Sequence, residues 1–353
     1  MMRWFLSGAA CLLMFAATLL GQELPGTVST TKPPVAPAAQ ATKAVAQIPT
    51  IVVNSDLVNM VFSVAGKHHD FIPDLPEGAF RVLEDGHPQT IKFFSSESQL
   101  PLTMGLLLDT SPSQVNVLAA EQGISDQFFR QVLTGKDLAF VLGFDINTTL
   151  LQDFTSSRDL LDAALDNAHI GGGSAASIYN PGSFPTPSSA GATHLWDAIY
   201  LACHDELAHQ VGRKAIIVVT DGGEQGSTYT QQDALRAALD SNTVVFAVIA
   251  ADRSYGGYAM FGPGPGPGQL AKLAEETGGA SINAGSHLAE AFQQIQAALR
   301  SQYTLGYRSA NPARDGKFRA VKIELTPAAE KSHSGAKVRT RTGYFAPGSG
   351  DHL

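Results

Sequence analysis

Four stretches of the chain are apolar almost without interruption: Leu102 to Leu108, Leu138 to Phe144, Ala215 to Thr220 and Thr243 to Ala250. Runs of this length predict strands buried on both faces of a parallel sheet. Around them apolar residues recur at helical spacing, which predicts helices over 117–133, 157–168, 195–211, 230–239, 269–277 and 288–301. With right-handed crossovers, this alternation predicts an α/β fold. It would be an open, doubly wound, mainly parallel sheet with helices on both sides and ligands beyond the carboxyl ends of the strands.

The flanks carry a period of two instead. Val58, Met60, Phe62 and Val64 alternate with Asn59, Val61 and Ser63. Phe80 to Glu84 and Gln89 to Phe94 flank Asp85-Gly86, the dipeptide of a tight hairpin turn, with Pro88 at the entry to the second strand. Towards the far end Tyr303, Leu305 and Tyr307 alternate, as do Val321, Ile323 and Leu325. Val338, Thr340, Thr342 and Tyr344 then alternate with Lys337, Arg339 and Arg341. Neither flank can close a core alone. The expected plan is a small β-sandwich built from residues 51–99 and 303–347, with a domain of residues 100–302 inserted into it and a tail at 348–353.

The N-terminus adds a destination. Met1-Met2-Arg3 precedes an apolar run from Trp4 to Leu20, the order of a signal peptide over residues 1–22 with cleavage after Gly21 or Gln22. Leu19 and Leu20 match a cleavage site poorly, so the alternative is an uncleaved membrane anchor. Residues 23–50, rich in Pro, Ala and Thr, read as an extended tether. The expected location is secreted, periplasmic or cell-surface. Of the two cysteines, Cys11 lies in the apolar run and Cys203 far from it, so removal of the run leaves no intramolecular disulfide. The 24 Lys and Arg against 32 Asp and Glu give a net charge of −8, and no basic run offers a nucleic-acid surface.

Candidate chemistry gathers at strand ends. The first buried run leads into Asp109-Thr110-Ser111-Pro112-Ser113, placing a carboxylate and hydroxyls where the sheet stops. Thr220-Asp221-Gly222-Gly223 adds a second carboxylate at the same edge if the two strands are neighbours, and Thr193 lies on the loop that opens a helix. Oxygen donors of this kind suit a hard divalent cation. Taken singly, Asp109-Thr110-Ser111 would read as a helix cap and Asp221-Gly222 as a turn. Three separated segments bearing such donors keep the metal reading open beside these.

Asp109-x-Ser111-x-Ser113, Thr193 and Asp221 resemble the metal-ion-dependent adhesion site of von Willebrand factor A domains, over about residues 100 to 302. Leu83-Glu84-Asp85-Gly86, Tyr303-Thr304-Leu305-Gly306-Tyr307 and Gly343-Tyr344-Phe345-Ala346-Pro347 resemble the secreted bacterial subfamily labelled VWFA-related, best known from acidobacteria. The resemblance implies a Rossmann-like fold and a Mg²⁺ site, with Mn²⁺ or Ca²⁺ as alternatives. In it Ser111, Ser113 and Thr193 can ligate directly, Asp109 and Asp221 often act through water, and one position stays open to an acidic group. Asp197 resembles a residue common in the family and reads as a supporting or helix N-terminal charge.

The function expected on this reading is an exported, metal-dependent adhesion or protein-interaction module, not an enzyme. Its expected partner is a protein with an exposed acidic side chain. Membrane contact would come only through the N-terminal anchor. The alternative is a structural or assembly module of a cell-envelope complex, and a metal-assisted hydrolase is a third reading. His204 and His209 are five apart, where a zinc-binding helix needs four, and Cys203 lies among apolar helix neighbours. Gly262 to Gly268, with Pro at alternate positions, reads as a loop. Ile170 to Ala190 reads equally as a ligand-selecting rim or a tolerated insertion.

Overall fold

The computed structural model describes residues 57–67, 70–96, 100–171, 192–250, 266–285 and 287–348. The expected signal segment and tether, residues 172–190 of the rim loop, residues 262–265 and the tail from 349 lie outside the described residues. The strands are β1 (Leu57–Ala65), β2 (Phe80–Glu84), β3 (His87–Gln89), β4 (Ile91–Ser95), β5 (Leu102–Asp109), β6 (Leu138–Phe144) and β7 (Thr148–Thr155). They continue with β8 (Arg213–Thr220), β9 (Thr243–Ile249), β10 (Ala280–Asn283), β11 (Gln302–Arg308), β12 (Phe318–Leu325), β13 (Lys337–Thr340) and β14 (Gly343–Phe345). The α-helices are α1 (Leu118–Val132), α2 (Arg158–Asp166), α3 (Leu195–Leu201), α4 (Gln231–Asp240), α5 (Gly266–Glu276), α6 (Leu288–Arg300) and α7 (Pro327–Ser332).

The central sheet has the order β10-β9-β8-β5-β6-β7. Every pair in it is parallel except β6–β7. Alternate residues of the buried strands feed two cores. Met104, Leu106 and Leu108 face α1, α2 and α6, whereas Leu107, Phe140 and Leu142 face α3, α4 and α5. The expected mainly parallel α/β arrangement with helices on both faces is therefore present. β7 and β10 escaped the sequence reading because β7 is a half-exposed edge strand with irregular register and β10 has only four residues.

Two helix expectations need correction. The helix expected over 195–211 is α-helical only to Leu201, then passes through a π-turn at Ala202–Glu206 in which Leu207 N donates to the Ala202 carbonyl. That turn keeps both Cys203 and Leu207 in the core, and Lys214 Nζ caps the end by donating to the Leu207 and Gln210 carbonyls. The Gly-Pro tract is not wholly loop either, because its last residues form the first turn of α5.

Both ends of the chain build two further sheets, ordered β13-β1-β11-β4 and β14-β12-β2-β3. Their side chains share one cluster, including Met60, Phe62, Tyr303 and Leu305 from the first and Phe80, Val82, Val321 and Ile323 from the second. Asp85 and Gly86 both adopt positive φ, as the tight hairpin turn requires. The expected strand over 89–94 is divided, however. His87–Gln89 pairs with β2, and Ile91–Ser95 crosses to pair with β11. Pro88 thus lies within an edge strand, where its missing N–H costs no ladder bond. Ser95 of β4 lies opposite Thr304 of β11, so the central region leaves and re-enters through adjacent strands.

The expected strand over 338–344 is divided in the same way. Lys337–Thr340 pairs with β1, Gly343–Phe345 pairs with β12, and the Thr342 N–H donates to the Glu276 carbonyl between them. This break turns Arg341 inward. It donates from Nη1 to the Leu239 carbonyl (3.1 Å) and from Nη2 to the Asn59 carbonyl (2.9 Å), joining the end of α4 to β1. Glu84 is also buried, and it accepts hydrogen bonds from the hydroxyls of Tyr307, Tyr344 and Ser309. Arg341→Ala should lower the unfolding free energy by about 2–4 kcal/mol, because two carbonyls lose a charged donor in a buried setting. Urea unfolding would measure this, and a loss below about 0.5 kcal/mol would show that Arg341 is not a strut.

Candidate metal centre

β5 and β8 are parallel neighbours with Leu108 opposite Val219, which brings Asp109 and Thr220 together at the carboxyl edge of the sheet. Asp109 is fully buried. Its Oδ1 accepts from the Ser111 N–H (2.9 Å), and its Oδ2 accepts from Thr220 Oγ1 (2.5 Å). Ser111 leaves β5 in an extended conformation, and Pro112–Gln114 form a 3-10 turn. That turn brings Ser113 Oγ to 2.9 Å from Ser111 Oγ. The buried Gln114 amide, oriented with its oxygen 3.0 Å from Asp221 N and its nitrogen 3.3 Å from the Ala250 carbonyl, ties this turn to the strand ends beside it.

Asp221 follows β8, and its Oδ1 accepts from the Gly223 N–H (2.8 Å). Gly222 has φ +85°, and a β-carbon there would lie 2.5 Å from Pro267 Cγ, so the start of α5 packs directly against the carboxylate loop. A β-carbon at Gly223 would lie 3.0 Å from Asp221 Oδ1 and 3.8 Å from Thr193 Oγ1, so these two oxygens flank the same residue.

Thr193 is held by a clamp that the sequence reading missed. The Gln225 N–H donates to the Thr193 carbonyl (2.9 Å). Glu224 Oε2 accepts from the N–H groups of Leu195 (2.9 Å) and Trp196 (3.3 Å) and from Ser227 Oγ (2.8 Å). A carboxylate thus caps α3 from a different loop, satisfying donors that the helix cannot. Asp197 completes the clamp by accepting from the Tyr229 N–H (2.8 Å). It supports the loop that follows β8. The only sequence signal for Glu224 is its place three residues after Asp221.

Burial, reinforced by Asp221, pushes the Asp109 carboxyl up to about 7, against the lowering effect of its bonds from Ser111 and Thr220. Among the described residues, no basic side chain is a main contributor to this shift. Two neighbouring carboxylates with hydroxyl companions fit a hard cation as ligand. Among the described residues no cluster of three or more His, Cys, Asp or Glu could hold an ion by itself. Glu121 of α1, also missed from the sequence, is fully buried and is pushed up to about 8 by burial and then by Asp109 and Asp221.

The remaining candidates lie elsewhere. Cys203 is buried and its thiol is pushed up to about 12 by burial, which suits a core residue and not a nucleophile. His204 and His209 are exposed, and His204 stacks on Tyr200 and bonds Asp205. No described helix is long and apolar enough to cross a membrane.

No family model and no curated protein matches the chain. Solved structures similar to it include proximal thread matrix protein 1 from the mussel byssus, at 13% identity and TM-score 0.43, over 66% of this chain and 51% of that one. The same mussel protein with a zinc-occupied MIDAS motif is similar at 14% and 0.43, over 61% and 49%. The SpRpn10 VWA domain is similar at 14% and 0.38, over 55% and 95%. The chain spans about half the length of the mussel protein.

The raised Asp109 pKa sets a pH dependence. Between the ordinary value of 3.8 and about 7, the folded chain keeps a proton that the unfolded chain has released, so stability falls as pH rises through this window. The loss is on the order of 4 kcal/mol once pH exceeds the folded value. Metal-free protein should therefore melt at a higher temperature at pH 5 than at pH 8, and Mg²⁺ should abolish the difference. Equal or greater metal-free stability at pH 8 would contradict the charge assignment.

Proposed function

We propose that the chain is a von Willebrand factor A-type binding module, exported from the cytoplasm, that captures an acidic protein ligand through a divalent cation. The observation that supports this reading is the convergence of Asp109 and Asp221 with hydroxyls at one edge of a parallel sheet, with no basic side chain among the described residues as a main influence on Asp109. Asp109, Ser111, Ser113, Thr193 and Asp221 would hold the ion. Mg²⁺ is the expected metal, with Mn²⁺ or Ca²⁺ as alternatives. When bound, the cation supplies an electrophilic position for a ligand carboxylate.

The chain's own residues divide the remaining work. Thr220 and the Ser111 N–H occupy both oxygens of Asp109 and fix its orientation. Glu224, Ser227 and Asp197 lock the Thr193 loop against the Asp221 loop, so the donors from separate segments are set before ligand arrives. We read residues 100–302 as the binding domain and the two smaller sheets as a β-sandwich that frames it. The activity proposed is binding without catalysis, and an acidobacterial-type VWFA-related protein remains the finer family reading.

Partner capture should be lost in EDTA and restored by Mg²⁺. Asp221→Ala should weaken metal binding by roughly 10–100-fold if the residue acts through water, and by more if it ligates directly. Thr193→Ala should impair partner capture more than metal affinity. Calorimetry together with a partner-binding assay would separate the two effects, and undiminished capture in EDTA would refute the mechanism. Cell fractionation should find the protein outside the cytoplasm, and an intact soluble cytoplasmic chain would contradict export.

A further inference from the structure

The buried face of α1 contains Leu118, Glu121, Ser125, Phe128, Phe129 and Val132. Four of these are apolar and pack as a helix stripe should, with the phenylalanines, Val132 and neighbouring helices filling one face of the central sheet. Glu121 and Ser125 are the exceptions. They lie one turn apart on the same stripe, and each is 0% exposed. Both carboxylate oxygens of Glu121 and the hydroxyl of Ser125 lack a hydrogen-bond partner among the described residues. A buried, unpaired carboxylate is costly, and native interiors seldom retain one without an ion, a water or a catalytic use. The same stripe position would accept leucine without any such cost.

The neighbours of Glu121 indicate the use. Its helix begins just after the 3-10 turn that carries Ser113, and the charges acting on Glu121 are Asp109 and Asp221, both acidic. Among the described residues no basic side chain acts on it, so a bound cation is the countercharge that an ionised Glu121 would need. Repulsion of this kind is relieved by a cation. Among the described residues no three acidic, His or Cys side chains are placed to hold one ion together, so we do not assign Glu121 as a direct ligand beside Asp109 and Asp221.

We propose that Glu121 and Ser125 are positioning residues for the cation, forming a polar inner wall behind Asp109 and Asp221 in which Glu121 supplies a third negative charge through bridging water. This deepens the function proposed above and rests on that cation site. It also accounts for the interruption of the apolar stripe, because α1 gives up core packing at two positions to balance a doubly charged ion. Ser125, with an oxygen that can donate as well as accept, can hold the bridge in place.

The test measures Mn²⁺ affinity by titration calorimetry and thermal unfolding in EDTA, using the native protein, Glu121→Gln, Glu121→Leu and Ser125→Ala. Glu121→Gln preserves shape and removes charge, and should weaken Mn²⁺ binding by about 10–100-fold, the range typical of groups that support ligands indirectly. Glu121→Leu should weaken it at least as much and melt at a higher temperature than native in EDTA, since it completes the apolar stripe. Ser125→Ala should weaken binding by a smaller factor. A purely structural role would give the opposite result, with stability lost in EDTA and affinity kept. Native protein that binds Mn²⁺ beside a Glu121→Gln variant within twofold of it would overturn this proposal alone. Native protein that binds no Mn²⁺ would overturn the cation site as well.

Discussion

The parallel pairing of β5 with β8 is the constraint on which the candidate site depends. It sets the end of one strand against the end of the other, so that Thr220 can donate to Asp109 at 2.5 Å and Asp221 emerges immediately beside it. A slip of one residue would turn each strand's side chains to the opposite face. The two cores that sandwich the sheet forbid such a slip, because Leu106 and Leu108 belong to one core and Leu107 to the other. Packing far from the edge thereby determines which oxygens meet at it.

Loops complete what the strands begin, and they do so by hydrogen bonding across sequence. The segment after β8 reaches over the start of α3 with Glu224 and Ser227, while Asp197 reaches back to Tyr229. Gly222 permits α5 to approach at a distance that any β-carbon would obstruct. Against these stabilising contacts stand acidic groups held at raised pKa in the interior.

Much of this was legible in the sequence, and the exceptions have physical causes. The four central strands announced themselves because burial on both faces requires uninterrupted apolar residues, and Asp109, Ser111, Ser113, Thr193 and Asp221 stood out through their resemblance to a known metal-site motif. The strand breaks near Thr90 and Arg341 were invisible because alternation continues across each break while the hydrogen-bond partner changes. Arg341 consequently looked like a solvent-facing residue and is buried. Glu224 acts through backbone groups of another segment, which no local pattern reports. Glu121 did leave a trace, an acidic residue at a position where the helical period calls for an apolar one.

The placement of Ser95 opposite Thr304 has a consequence for how the chain reaches its native state. In an unfolded chain those residues are separated by the whole central region, and closing so long a loop is entropically unfavourable before any contact rewards it. The central α/β region, whose strands and helices alternate locally, can form without that closure. Once formed, it holds its own two ends close enough for β4 and β11 to pair. The topology therefore favours an order of assembly in which the middle of the chain forms first and serves as the template on which the two flanks pair.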